Sequence, residues 1–199
     1  MLADQFLRDE LNKFAKYVIQ QSRSNLTKSE KNSSKELYNS LGYDISEASG
    51  KTSLGFDMAD YGKFQDRGVK GKDPSKVSPN AKITGQQAPN APYRFGSGSQ
   101  RGTFKSFVKR MSIFAKQKNI RFRQTKIVNG KKVSTGKYAK GGFDSVGYII
   151  ASNIYNRGIK PSMFFTKPFE AAFKRLPDEL VEAYSIGLEK QIQVNINKK

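Results

Sequence analysis

Apolar residues recur near the N-terminus at Leu7, Leu11, Phe14 and Val18, in steps of four, three and four, which places them on one face of a helix over residues 3–21. Thr27-x-x-Glu30 and Ser33-x-x-Glu36 both fit the capping-box pattern, so a shorter second helix carrying Leu37 and Leu41 is expected before Gly42. The period then changes from helical to two. Tyr43 and Ile45 alternate with polar neighbours, Ser49-Gly50 marks a turn, and residues 52–58 are extended again, which predicts a β-hairpin. In the segment DYGKFQDRG that follows, Asp60 can cap a single helical turn that Gly68 closes, with Tyr61 and Phe64 on one side. Those two rings either close the core over the hairpin or meet a partner.

Residues 68–102 hold Pro74, Pro79, Pro89 and Pro92 among Gly, Ser, Asn and Gln, and read as a long arm with too little apolar surface to order itself. A helix starts at Thr103, with Phe104, Phe107, Val108, Met111, Phe114 and Ala115 on one face. Residues 120–142 alternate around Asn129-Gly130, a strong two-residue hairpin signal. Asp144 is expected to cap the next helix, whose Val146, Ile149, Ile150 and Ile154 face inward until Arg157-Gly158 ends it. Pro161 bars its continuation, and Met163-Phe164-Phe165 is long enough for a short buried strand or an extended plug. Thr166 and Pro168 then supply an N-cap and a first-turn proline for a helix carrying Phe169, Ala172, Phe173 and Leu176. A last helix opens at Pro177-Asp178-Glu179, with Val181, Tyr184, Leu188 and Ile192 as its inward stripe, and its tail through Ile192, Val194 and Ile196 reads either as a strand or as a frayed helix end.

These elements define an α+β fold: a small antiparallel sheet packed against N-terminal and C-terminal helices in one domain, with 1–69 and 143–199 as core. A basic insertion, 70–142, interrupts it as an extended arm (70–102), a helix (103–118) and a β-hairpin (120–142).

Charge changes the picture more than overall composition does. Lys and Arg number 36 against 17 Asp and Glu, a net +19. No acid occurs between residues 74 and 143, while thirteen Lys/Arg fall from Arg101 to Lys140. Such a balance calls for an acidic partner: nucleic acid, an anionic membrane or an acidic protein surface. The ribbon carries Arg121, Arg123, Lys126, Lys131, Lys132, Lys137 and Lys140. A two-stranded ribbon this basic is marginal alone and wants an acidic surface to lie on. One reading lays it and the preceding helix across nucleic-acid phosphates, with Phe122 or Tyr138 against bases.

There is no Cys, His or Trp, which excludes disulfides, thiolate catalysis, zinc fingers and His-dependent acid/base schemes. Ser-Lys or paired-carboxylate chemistry has no supporting local pattern, so no catalytic residue, cofactor or metal site is expected. Gly50-Lys51-Thr52 ends like a phosphate-binding loop, but Ile45 stands where the pattern needs glycine. Gly96 to Gly102 misses the dinucleotide spacing and follows no strand. The start MLADQFLRDELNK lacks the basic, apolar pattern of a signal peptide, and no apolar run reaches the roughly 18 residues needed to span a bilayer, so a soluble, cytosolic product is expected.

Two segments, Tyr61-Gly-Lys-Phe64-Gln-Asp-Arg67-Gly68 and Gly158-Ile-Lys-Pro161-Ser-Met-Phe164-Phe165-Thr-Lys-Pro168-Phe169, resemble the tyrosine turn and the proline-anchored R/K-P-F-F-x-x-P segment of a known family. The chain looks like the neck or tail-completion ring proteins of tailed bacteriophages, including those of crAss-like phages. Ser162-Met163 separates the first proline from the phenylalanine pair, and the long excursion of residues 70–142 is a second departure from the compact members. The resemblance covers roughly residues 2–70 and 149–188. It implies a non-enzymatic virion protein, made in the host cytoplasm, that forms a closed ring, a dodecamer or hexamer, around the DNA passage between portal and tail. Its partners would be copies of itself, the portal and neighbouring neck or tail proteins, with DNA in the channel a further candidate and no membrane. It also implies that Tyr61, Phe64, Arg67, Gly68, Arg157, Gly158, Pro161, Phe164, Phe165 and Pro168 form the core and subunit-interface motif.

Overall fold

Helix α1 runs over Leu2–Lys28 in the computed structural model, which describes residues 2–29, 35–48, 51–79, 81–98, 102–138 and 141–196. The chain continues through α2 (Glu36–Ser40), β1 (Gly42–Ala48), β2 (Lys51–Asp57), α3 (Gly62–Arg67), β3 (Val69–Lys70) and a 3-10 turn at Pro74–Lys76. Then come α4 (Phe104–Gln117), β4 (Arg123–Val128), β5 (Lys131–Tyr138), α5 (Gly142–Arg157), β6 (Gly158–Ile159), α6 (Thr166–Phe173) and α7 (Leu176–Ile196). It is an α+β chain that divides into two compact units, residues 1–67 with 162–199 and residues 68–161. The second unit is wider than the 70–142 insertion expected from sequence by one whole helix, α5, which packs along α4.

In the first unit α1 is longer than its expected end at residue 21, because the buried stripe Phe14, Ala15, Val18 and Ile19 continues through Ser22 and Leu26. Ser22 is tolerated there since its hydroxyl donates to the Val18 carbonyl at 2.7 Å. Thr27 does not cap a second helix; it lies inside α1 and donates to the Arg23 carbonyl. Glu30, Ser33 and the Ser49-Gly50 turn lie outside the described residues. Leu37 and Leu41 join Ile19, Leu26 and Phe164 in one core cluster. Arg23 closes the end of α2 by donating to the carbonyls of Tyr38 and Leu41.

Strands β1 and β2 pair antiparallel, with Tyr43 opposite Phe56 and Ile45 opposite Leu54. These residues are the half-buried ones of each strand, so one face lies on the helices and the other faces water. A second cluster joins Phe14, Val18, Ala172 and Leu176, with Phe56, Phe165 and Phe169 packed against it. Phe56 meets Phe165 at 5.3 Å and Phe169 at 5.9 Å, both edge-on, the geometry that ring quadrupoles favour.

Helix α7 corrects the expected inward stripe. Val181 is 68% exposed, and Tyr184 and Leu188 are also exposed, whereas Leu176, Ala183 and Gly187 are buried where α7 packs on α1. Leu180 is half-buried against the same core cluster as Leu176. The side chain of Ile192 lies outside the described residues, but the backbone stays helical to Ile196, so the tail forms no strand there.

In the second unit α4 begins as expected: Thr103 and Ser106 form a reciprocal capping box. Its partner is α5, and the joint is built on small residues. Ala115, Val146 and Ala151 are buried, and a Cβ on Gly147 would fall 2.3 Å from the Ser112 hydroxyl. Ile149 is exposed rather than inward, while Ile150 and Ile154 are half-buried. The N-cap of α5 is Gly141, with φ 103°, and Asp144 lies in the first turn instead of capping it.

The Pro-rich arm does not stay free. Val69-Lys70 pairs with Gly158-Ile159, and Lys70 also exchanges backbone hydrogen bonds with Tyr93 and Phe95. Lys72 donates to the Tyr155 carbonyl and Gln87 to that of Arg157, while the Asn153 side chain accepts from Ser78. The arm is therefore ordered by backbone hydrogen bonds to the end of α5, with Phe95 stacked on Phe107 and tilted against Tyr155. Apolar content alone, the basis for expecting disorder, misses this. Hydrogen bonds to the open carbonyls at a helix C-terminus are an alternative source of order.

Candidate functional site

Two constellations stand out, one in each unit. In the first unit, α3 ends against the turn that leads into α6. Asp66 is 4% exposed, and its carboxylate accepts from the Phe165 N–H at 2.8 Å, the Thr166 N–H at 3.2 Å and the Thr166 hydroxyl. Asp66 thus caps a helix a hundred positions further along the chain, occupying the role expected of Thr166, which is itself the first residue of α6. The neighbouring backbone completes the clamp, because Ser162 donates to the Gln65 carbonyl from both N–H and hydroxyl, and Met163 donates to that of Asp66. Asn25 of α1 secures the far side by donating to the Phe164 carbonyl at 3.2 Å.

The clamp explains why Met163-Phe164-Phe165 forms a turn and not the expected strand or plug. Met163 takes φ 54°, and Phe164 is driven inward to 1% exposure. Phe165 and Pro168 pack behind it, half-buried and buried respectively. Phe64 is half-buried with the Lys63 ammonium 5.3 Å from its ring, Tyr61 is 41% exposed, and Arg67 is exposed at the end of α3. Of the motif residues, Tyr61, Phe64, Arg67, Phe164, Phe165 and Pro168 therefore belong to the first unit.

Gly68, Arg157, Gly158 and Pro161 belong to the second. Gly68, with φ +77°, has the Ile159 carbonyl 2.6 Å from where a Cβ would stand, and Gly158, with φ +92°, has that of Val69 at 2.3 Å. Pro161 is half-buried beside Gly68. Arg157 donates to the Ile83 carbonyl at 3.2 Å, while its buried Nε finds no hydrogen-bond partner among the described residues. Partial burial draws its guanidinium below the ordinary value. Asp73 also titrates lower than usual, but for a carboxyl this means that the charged form is favoured, chiefly because the Ser75 hydroxyl donates to it.

The second constellation is the ribbon. Strands β4 and β5 pair around Asn129 and Gly130, whose φ values of 50° and 74° are those of the expected hairpin turn. A register shift follows Arg123, where the Thr135 hydroxyl donates to the Gln124 carbonyl and Gly136 takes φ 76°. Every residue of both strands is exposed. Arg121, Arg123, Lys126, Lys131, Lys132 and Lys137 are all open to solvent, and Lys140 lies outside the described residues. Arg121 sits over Tyr138 at 5.1 Å and over Phe143 at 4.6 Å, which ties the root of the ribbon to the start of α5. The basic residues of α4, Lys105, Lys109, Arg110 and Lys116, are exposed as well.

The two constellations divide the charge. Residues 68–161 carry twenty Lys/Arg against Asp73 and Asp144, which is +18 of the chain's +19. The first unit is nearly neutral. Sequence reading located the ribbon but not Asp66 as a long-range clamp; the only signal was a lone acid two residues before the glycine that ends α3. Among the described residues no three acidic side chains converge as a metal site, and no helix is long and apolar enough to cross a membrane. Comparison with protein-family models, curated proteins and solved structures finds no match.

Proposed function

We propose that the chain is a structural, non-enzymatic joining subunit of the phage neck or tail, assembling as a ring around the DNA passage between portal and tail. The observation that carries this reading is the segregation of charge: one unit is nearly neutral and the other holds almost the whole net charge. A joining protein needs two unlike surfaces, one for its own copies and one for something else. A ring closes through heterologous contacts, so each copy must offer two different patches to its neighbours. The exposed apolar row Val181, Tyr184 and Leu188 on α7, with Tyr61 at the Asp66 clamp, supplies material for such a seam in the first unit. The second unit presents its cations outward to acidic surfaces of the portal, the neighbouring ring or the packaged genome. Within this reading the protein resides in the virion.

Replacing residues 121–140 by a short Gly-Ser link is expected to leave the first unit folded, since both of its core clusters are built from its own residues. Virions assembled with this variant are expected to accumulate as unjoined heads and tails in electron micrographs. Normal infectious particles would defeat the joining reading.

A further inference from the structure

We propose that the β4–β5 ribbon is a groove-binding arm for duplex DNA, which goes beyond the joining reading and stands whether or not the chain forms a ring. Pairing fixes which side chains share a face. Lys126 lies opposite Val133 and Val128 opposite Lys131, while Ile127 lies opposite Lys132 and Thr125 opposite Ser134. Because side chains alternate along a strand, the first two pairs occupy one face and the last two the other. Each face therefore carries lysine beside an aliphatic residue, and neither face is covered.

A ribbon that docks on a protein surface needs cations on one face only. Cations on both faces suit a site with negative charge on both sides, and a duplex groove, flanked by two phosphate backbones, is such a site. The major groove, about 12 Å wide, admits a two-stranded ribbon. The end near the Asn129-Gly130 turn also fits, since Ile127, 73% exposed on its face, is an aliphatic residue that can meet thymine methyl groups on the groove floor. The absence of any acid from residue 74 to residue 143 removes the repulsion that a phosphate-lined groove would impose. Arg121 and Arg123, stacked on Tyr138, stiffen the base of the arm and keep their charge at the groove edge.

The test is fluorescence anisotropy of the full chain with a random-sequence duplex of about two helical turns, titrated with salt, beside a variant carrying Lys126→Gln, Lys131→Gln and Lys132→Gln. None of the three lysines forms an ion pair among the described residues, so circular dichroism of the variant should match that of the parent. The parent is expected to bind, with log K falling linearly against log salt, and the variant's slope should be shallower by about 2.7, from roughly 0.9 per lost phosphate contact. Methyl green, which occupies the major groove, should displace the protein. No binding at low salt, an unchanged slope in the variant, or indifference to methyl green would overturn the proposal. So would binding confined to polyglutamate, which would assign the ribbon to an acidic protein surface. These readings are independent of virion assembly, so failure here and failure of the joining reading are separate results.

Discussion

Gly158→Ala is expected to unfold the second unit. The residue combines φ +92° with ψ −174°, a backbone region that only glycine occupies readily. A Cβ there would also stand 2.3 Å from the Val69 carbonyl, 2.6 Å from the Gly71 amide and 2.8 Å from the Gln87 carbonyl, all backbone atoms that cannot swing aside. Strain of about 1–3 kcal/mol from the dihedral and a similar cost from crowding sum to roughly 4 kcal/mol. That is a large share of the stability of a unit of this size. Hydrogen exchange should show it locally, with the amides of Lys70, Lys72 and Gln87 losing protection while those of α1 keep theirs. Unchanged protection at these three amides would mean that the arm is not held through Gly158.

Asp66→Ala is the expected lesion of the first unit. It removes the acceptor of two N–H groups and one hydroxyl at the start of α6, and leaves those donors part-buried with nothing to bond. Loss of a helix cap costs about 1 kcal/mol, and three stranded donors at about 1 kcal/mol each, the low end because this helix start is only part-buried, add about 3 more, for a total of roughly 4 kcal/mol. At 4–8 °C per kcal/mol for a unit of about a hundred residues, its melting midpoint should fall by at least about 15 °C. Asp66→Asn keeps one oxygen to accept with and should recover roughly half of the loss. Equal melting of the alanine variant and the parent in differential scanning calorimetry would remove the clamp from the account.

The two lesions mark what the sequence could and could not show. Local signals were legible because their causes are local. The Asn129-Gly130 turn, the helix start at Thr103 and the alternation of Tyr43 and Ile45 each depend on residues a few positions apart, and each stands in the structure as read. Long-range partners were not legible. Thr166 followed by Pro168 has the form of an N-cap, yet the cap comes from Asp66, brought there by the fold. The Pro-rich arm lacks apolar residues, yet carbonyls at the end of α5 hold its backbone.

Periodicity misled in the same way for helices whose seams use small residues. In α7 the row Val181, Tyr184 and Leu188 was read as inward and is exposed, and in α5 Ile149 is exposed although Val146 is buried as expected; the small residues Gly147, Ala151, Ala183 and Gly187 are buried instead. Hydropathy weights side-chain size, but the distance between two helix backbones is set by the smallest residues between them. The candidate site divides likewise. The ribbon's cations were visible from composition and turn chemistry, while the split of the motif residues between two units depends on where the chain crosses from one to the other.

Whether the near-neutral unit assembles copies of the chain while the basic unit engages an acidic partner is a question of native mass. Purified protein, alone and mixed with the portal complex, should be measured by light scattering at low and high salt. A closed assembly of fixed copy number, or a monomer that adds to the portal in fixed number, is expected. A chain that remains a monomer at every salt concentration and leaves the portal's mass unchanged would contradict it.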